Sequence, residues 1–350
     1  MNTFSRRNFI KTSALGGIAA SSISNVYAIS NEQEVIKKES TVALTTGDNR
    51  ADLAFRALQP FAKEIRQSIG NRRVVLKPNN VLNNVPLTST HVDTLEGILE
   101  FLKSIKKLDH VIIAESAANG PTLDGFDNYG YFRLMNKYPV KLVDLDQQPY
   151  DILNVFDEKD FRPHAMRMSH VLLDPDNFIV SVARMKTHDR VLATLSLKNI
   201  VFGAPIKDAG FSWTPQRKEG AKSDKAIAHG SGFRGINFNL YSLSKYLHPH
   251  LALIDGFEGM EGNGPNSGTP VDHRICVVST DWLAADRVGI ELMGIDFKNV
   301  GYLNFCNQTG MGTGDLDKIE IIGEPLANHI RRYKLNDNVE KQLIWMQPVS

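Results

Sequence analysis

The feature that most constrains the fold is a series of short apolar runs that alternate with segments of helical period. The runs are rich in Val, Ile and Leu without polar alternation, which is typical of strands buried on both faces. Alternation of such strands with helices predicts the α/β class. We therefore expect a mostly parallel sheet flanked by helices, in one or two lobes. The runs lie at residues 41–46, 73–79, 110–116, 140–146, 177–185, 251–256, 274–280 and 318–323.

Two stretches interrupt this alternation of apolar runs and helical segments. Residues 208–235 have no sustained apolar period and contain many Gly, Lys and Ser residues. Because loops of this length in compact domains are usually lids or binding loops, a long loop that closes over a site is predicted here. Residues 255–270, "DGFEGMEGNGPNSGTP", are rich in glycine and proline. That composition predicts a system of turns.

The N-terminus carries the marks of an export signal. Arg6 and Arg7 precede a short, weakly apolar run that ends in "NVYA", with small residues at Val26 and Ala28. This pattern predicts a twin-arginine signal peptide over 1–28, recognition by the twin-arginine translocation machinery and a periplasmic location. The run is too short and too rich in Gly and Ser to be a stable membrane anchor. A disordered basic start is the alternative, but it explains neither the arginine pair nor the "VYA" ending.

The remainder divides into a polar tether over 29–40, a single α/β domain over 41–330 and a C-terminal extension over 331–350. The twin-arginine route carries proteins that fold before export, which favours cargo that has already acquired a cofactor or metal. Removal of Arg6, Arg7 and Lys11 with the signal leaves 37 basic and 39 acidic side chains. This balance argues against a nucleic-acid partner.

The chain contains two cysteines, Cys276 and Cys306. They could pair outside the cytoplasm, and the sequence leaves that question open. Iron–sulfur clusters usually take four protein ligands, so no cluster held by this chain alone is expected.

Polar groups follow nearly every predicted strand. In open parallel sheets, ligands bind beyond the carboxyl ends of the strands, so these groups are expected to share one rim and form a binding site. Such endings also occur for turn reasons alone. The residues concerned are Lys77, Asn79, Glu115, Ser116, Asp144, Lys186, Thr187, His188, Asp255 and Asp281.

The stretch "MKTHDRVLATLSLKN", residues 185–199, is the richest of these endings. Lys186 and His188 are two residues apart, so they face the same side of an extended segment. Nearby lysines should lower the pKa of His188 and keep it neutral, as a general base or metal ligand requires. Thr194 and Lys198 share one face whether the following residues form a strand or a helix. The alternative is a solvated amphipathic surface.

These arguments assign roles to particular side chains. The predicted catalytic residues are His188, Lys186 and Lys198. The predicted binders of a substrate or other small anion are Lys77, Asn79, Ser116, Thr187, Thr194 and Asn199.

A divalent metal is a further option. Asp255, Glu258 and Glu261 lie within a glycine-rich segment, and hard cations bind oxygen clusters on flexible loops. The spacing is not that of an EF-hand, however, and the chain has no HExxH or CxxC motif. Alternatively, the glycines could present backbone N–H groups to an anion.

Several motifs together resemble the bacterial and archaeal family called domain of unknown function three-six-two. They are "VLKPN", "MKTH" followed by "TLSLKN", "LIDGFEGMEGNGP" and "STDWLAADRVGIELMG", within residues 73–322. The resemblance implies an α/β domain of unsettled activity, with many members in iron–sulfur or redox contexts and often with ferredoxin-type cysteine runs. Since this chain lacks such runs, redox chemistry would require a separate cofactor or a redox partner.

The sequence therefore predicts an exported enzyme, dependent on a cofactor or metal, that acts on a small anionic substrate at the rim of the sheet. The alternative is a non-catalytic protein that binds an anion or cofactor, or that serves as a maturation partner of a redox system.

Overall fold

The apolar runs form the strands of one large sheet. The structure, a computed structural model, describes residues 37–348. This part of the chain contains a nine-stranded sheet and a separate two-stranded sheet of β5 and β6. The strands are β1 Ser40–Thr46, β2 Arg73–Lys77, β3 Val111–Glu115, β4 Val140–Asp144, β5 Tyr150–Phe156, β6 Pro163–Ser169, β7 Asn177–His188, β8 Leu192–Thr194, β9 Leu251–Asn263, β10 Ser267–Ser279 and β11 Ile319–Gly323.

Helices cover both faces of the sheet, as its alternating side chains require. One core layer contains Leu53 and Leu95 from helices α1 and α3, and the other contains Leu240 and Leu283 from α9 and α10. The helices are α1 Arg50–Leu58, α2 Ala62–Ile69, α3 Val92–Ser104, α4 Thr122–Asn128, α5 Phe132–Met135, α6 His170–Leu173, α7 Ser196–Val201, α8 Asp224–Gly230, α9 Gly232–Ser244, α10 Trp282–Leu292, α11 Gly301–Gln308 and α12 Val339–Gln342.

Strand order and direction determine where a site can form. The large sheet has the order β11-β1-β10-β9-β7-β2-β3-β4, with β8 paired to β7. All of its strands are parallel except β10 and β8, which confirms the predicted mostly parallel α/β fold. After β2, the chain adds β3 and β4 on one side of β2 in the sheet. It then returns to add β7 and β9 on the opposite side of β2. The carboxyl ends of β2 and β7 therefore form a topological switch point, where ligands bind in folds of this kind.

The glycine-rich segment 255–270 forms a hairpin, and the prediction of a system of turns was wrong. Strand β9 continues to Asn263 and β10 begins at Ser267. The glycines allow close packing: a Cβ on Gly256 would lie 2.7 Å from Cγ1 of Ile275, and one on Gly259 would overlap the Tyr333 hydroxyl. Composition alone did not distinguish this use of glycine from a turn.

The segment 208–235, predicted as a long loop, is only partly irregular. Residues 208–223 form the loop, whereas α8 and the start of α9 occupy residues 224–235. The helical part matters for the site, because α8 packs beside the carboxyl end of the sheet.

The described C-terminal residues, 331–348, pack on the domain. The Gly262 N–H donates to the Lys334 carbonyl (2.6 Å), the Leu192 N–H donates to Gln342 Oε1 (2.7 Å), and Tyr333 is buried. The predicted signal peptide over 1–28 and most of the predicted tether over 29–40 lie outside the described residues. Among residues 37–348, no helix is long and apolar enough to cross a membrane.

The two cysteines are free, buried thiols on opposite faces of the sheet. Cys276 belongs to the core layer of α1 and α3, and Cys306 belongs to the layer of α9 and α10. The sheet therefore separates them.

Candidate functional site

A cavity of about 70 Å³ lies at the carboxyl ends of β2, β3 and β7. Larger, open clefts lie elsewhere, but the strand-end lysines do not line them. Among the residues of the wall are three lysines, a carboxylate and two imidazoles: Lys77, Lys198, Lys225, Glu115, His188 and His229.

Lys77 and Glu115 form a buried ion pair in the wall. The Lys77 ammonium lies 2.8 and 2.9 Å from the two Glu115 carboxylate oxygens, and both side chains are 1% exposed. Lys77 also donates to the carbonyl of Pro78 (2.9 Å) and to Asn199 Oδ1 (3.2 Å). Burial lowers the pKa of Lys77, and the Glu115 carboxylate opposes that shift. With four acceptors, Lys77 serves as a fixed part of the wall.

Amide side chains connect this pair to Lys186. Asn199 Oδ1 also accepts from Asn79 Nδ2 (3.1 Å), and Asn79 Oδ1 accepts from the Lys186 ammonium. Lys186 donates as well to the Thr88 carbonyl (2.6 Å). Burial is the main reason that its pKa is lowered well below the usual range, with the Lys198 charge adding to the effect. Lys186 therefore lies outside the cavity lining and holds Asn79, which is part of that lining.

Lys198 faces two imidazoles. Its ammonium lies 3.5 Å from His229 Nε2, and the rings of His229 and His188 have centroids 5.7 Å apart. His229 Nδ1 lies 2.8 Å from the Lys225 carbonyl, so Nδ1 carries the proton and Nε2 is left as an acceptor. Burial, together with the Lys198 charge, lowers the pKa of His229 to about 3 and that of His188 well below its usual value. Both rings are therefore neutral.

Lys198 and Lys225 have no carboxylate partner in the described part of the chain. Among the described residues, neither forms an ion pair within 4.0 Å, and burial lowers the pKa of each to about 7. Lys225 donates to the carbonyls of Gly203 (2.9 Å) and Pro205, which leaves one of its three donors free. Asn80 and Thr194 line the same cavity, and Asn80 Nδ2 and Thr194 Oγ1 are buried without a hydrogen-bond partner within residues 37–348. This wall offers several donors to an anion.

Two predicted anion ligands have other partners. Ser116 lines the cavity, but its hydroxyl donates to Asp146 Oδ1 (2.6 Å). The Thr187 hydroxyl donates to the Gly262 carbonyl (2.9 Å), towards the hairpin of β9 and β10. Adjacent side chains along a strand point to opposite sides of the sheet, so Thr187 points away from its neighbour His188. Thr187 therefore binds the hairpin instead of lining the cavity. Asp281 follows the antiparallel β10, lies at the other edge of the sheet and caps α10.

The carboxylates proposed for a metal are not brought together around an empty position. Glu258 Oε2 lies 2.5 Å from Arg184 Nη2, and Asp255 Oδ1 lies 3.6 Å from Arg50 Nε. Glu261 accepts from the Lys334 N–H (2.9 Å). Arginines thus already supply positive charge beside two of the three carboxylates. Among residues 37–348, no group of three His, Cys, Asp or Glu side chains is arranged to hold a metal.

The structure adds residues that the sequence argument did not assign to the site. Asn80 follows Asn79 directly, and Lys225 and His229 come from α8, inside the segment predicted as an irregular loop. One signal was available: Lys225 and His229 are four residues apart, which places them on one face of a helix.

Comparisons with known proteins find a sequence relative, a solved structure and a family. A thylakoid-associated protein of Synechocystis sp. is 23% identical over 226 residues, which is 64% of this chain and 64% of that protein, less than two thirds of its length. A crystal structure of a Thermotoga maritima protein covers 71% of this chain and 60% of that one, with 11% identity and a TM-score of 0.41. Residues 74–291, more than half of the chain, match the family described as Domain of unknown function (DUF362), and the chain therefore belongs to that family.

Proposed function

We propose that this protein is an exported enzyme that binds a small anionic substrate in the cavity between β2, β3, β7 and α8. The observation that carries the proposal is the surplus of buried donors on that wall. Lys198 and Lys225 have no carboxylate within 4.0 Å among the described residues, and Asn80 Nδ2 has no hydrogen-bond partner. Buried donors and charges without partners are costly, so an anion that satisfies them gains binding energy.

The Lys198–His229 pair favours catalysis over simple binding. A non-catalytic protein would need the lysines but no proton acceptor beside them. Here an amine with a pKa of about 7 lies 3.5 Å from an imidazole nitrogen that is free to accept a proton. An amine that titrates near neutral pH in a cleft is typical of proton-transfer catalysts. The His229 ring, with a pKa lowered to about 3, is a weak base that holds a transferred proton only transiently. We assign proton transfer to Lys198 and His229, and binding of the anionic group to Lys225 and Asn80.

His188 and Lys186 have supporting roles in this scheme. His188 Nδ1 accepts from the Arg190 N–H (3.0 Å), and its neutral ring lies beside His229. The ring therefore limits how far His229 can move and adds no charge to the cavity. Lys186 keeps Asn79 and Asn199 in position.

The donor set of the cavity does not suit a divalent cation. Its wall holds three lysines and a carboxylate that is already paired with one of them. A cation there would meet positive charge, whereas hard cations bind clusters of oxygen ligands. The proposed chemistry therefore uses the side chains of this chain.

Export through the twin-arginine pathway is part of the same proposal. It is supported by the adjacent Arg6 and Arg7, the short apolar run and the small residues at Val26 and Ala28. The compartment would then be the periplasm.

Thermal unfolding with added glycolate, phosphate or oxalate tests the anion site. A ligand at a hundred times its Kd stabilises the folded state by about 2.7 kcal/mol, so the Tm of the wild type should rise. Lys225→Met should lose the response, while Lys103→Met, on the exposed side of α3, should keep it. No stabilisation of the wild type by any of the three anions, or an equal response in Lys225→Met, would contradict the proposal.

A further inference from the structure

We infer that Lys198 is an amine nucleophile that forms an imine with the carbonyl group of a small oxo acid held in the cavity. This inference rests on the proposed anion site and deepens it by naming the substrate class and the bond that forms. Four observations support it: the freedom of the Lys198 amine, the tautomer of His229, the protonation of Lys198 and the size of the cavity.

The Lys198 amine is the least constrained of the buried lysines around the site. Lys77 has four acceptors and Lys186 has two, so neither can approach a substrate without breaking those bonds. Among the hydrogen bonds of the described residues, Lys198 Nζ has one contact, His229 Nε2 at 3.5 Å. The amine lies 5.8 Å from the Phe202 ring centroid, and the residue is 6% exposed. Such an amine is held in place but can still be reached from the cavity.

His229 is oriented to take and return a proton. Because its Nδ1–H donates to the Lys225 carbonyl, the Nε2 lone pair points to the Lys198 amine. When the neutral amine attacks the carbonyl carbon, the C–N bond forms and Nε2 takes a proton from nitrogen. Nε2 returns that proton to the oxygen, which completes the carbinolamine. The second proton of the nitrogen then passes through Nε2 to the hydroxyl group, the C–O bond breaks, the C=N bond forms and the oxygen leaves as water. The products are one imine and one water molecule, and no oxidant or reductant is required.

Protonation of Lys198 is consistent with this role. Burial lowers the pKa of the amine to about 7, and the Lys77 charge contributes in the same direction against the opposing Asp189. A substantial fraction is therefore the neutral amine near neutral pH. Desolvation is a known way to activate lysine for attack on carbonyl compounds.

The cavity restricts the class of substrate. Its volume of about 70 Å³ has room for several water molecules, and so for a small organic acid. The unused donor of Lys225 and Asn80 Nδ2 suit a carboxylate, which is an anion with more than one acceptor oxygen. A carbonyl group next to that carboxylate would lie on the side of Lys198. A short oxo acid combines both groups.

Reductive trapping tests the inference with glyoxylate as the probe. Full-length protein is incubated with glyoxylate and sodium cyanoborohydride, and peptide mass spectrometry identifies the carboxymethylated lysines. We expect Lys198 to be labelled at least tenfold faster than the exposed Lys103, and glycolate, which lacks the carbonyl, to slow the labelling of Lys198. His229→Gln should reduce the rate by about 10²-fold, the lower end for loss of a general base. Far-UV circular dichroism of each variant confirms that it is folded.

The outcomes separate the imine from the anion site. If glycolate raises the Tm but Lys198 is not labelled, the imine is refuted and the anion site stands. If none of the three anions raises the Tm and Lys198 is not labelled, both proposals fail. Equal labelling of Lys198 and Lys103 would also refute the imine, because it would show no activation by the site.

Discussion

The buried pair of Lys77 and Glu115 provides the sharpest test of how the site is held together. Replacing Glu115 with Gln keeps the size of the side chain and removes its charge. At an effective dielectric constant of about 20, unit charges 2.8 Å apart attract each other by about 6 kcal/mol. With both side chains 1% exposed, solvent screens this attraction little. The carbonyl of Pro78 and Asn199 Oδ1 remain as acceptors for the ammonium.

Loss of one partner of a buried ion pair typically costs about 3–5 kcal/mol, because the other charge stays buried without compensation. The acceptors that remain place Glu115→Gln near the lower value, about 3 kcal/mol. A second change, Lys77→Met, removes the stranded ammonium, so the double variant should be more stable than the sum of the two single effects predicts. The expected coupling energy is at least about 2 kcal/mol, within the range for residues in direct contact.

Urea unfolding followed by far-UV circular dichroism measures these free energies. The control is Glu39→Gln, which alters an exposed pair with Lys318 (3.1 Å, with Glu39 51% exposed) and should cost about 0–1 kcal/mol. If Glu115→Gln costs no more than Glu39→Gln, or if the coupling is zero, then Lys77 is stabilised by its other acceptors and the ion pair does not organise the wall.

Three further predictions concern the cavity and the signal. A Cβ on Gly203 would overlap Lys77 Cε and Nζ, so Gly203→Ala should abolish the Tm response to glycolate. The control is Gly230→Ala, which has open space around the new methyl group and should preserve the response. Since burial lowers the pKa of Lys225 to about 7, the amine loses its positive charge above that pH. Calorimetry should therefore show that the affinity for glycolate falls about tenfold per pH unit above pH 7. A constant affinity would contradict the role of Lys225 in binding the anion. Replacing Arg6 and Arg7 with lysines should block export. N-terminal sequencing of wild-type periplasmic protein should show cleavage after Ala28. Wild-type protein that stays in the cytoplasm would refute the export signal.

Much of the fold and part of the site could be predicted from the sequence, because they follow from local patterns. Continuous apolar runs require burial on both faces, and this predicted the parallel sheet. The rule that ligands bind at strand ends correctly brought Lys77 and His188 to one edge. Thr194 ends β8 and Lys198 lies in α7, so the prediction of one strand or one helix through both residues was wrong, although both line the cavity. Apolar patterning was sufficient for the sheet and for the placements at the ends of its strands.

The tertiary structure decided which of these polar groups are free. Lys77 is satisfied by Glu115, 38 residues away, and by Asn199, 122 residues away, while Lys198 is left with His229 from a segment predicted as a loop. No local pattern specifies such partners, because they depend on the order of the strands and on the packing of α8 against the sheet. A sequence therefore determines which residues reach a common edge, whereas long-range packing determines which lysine is paired with a carboxylate and which is not.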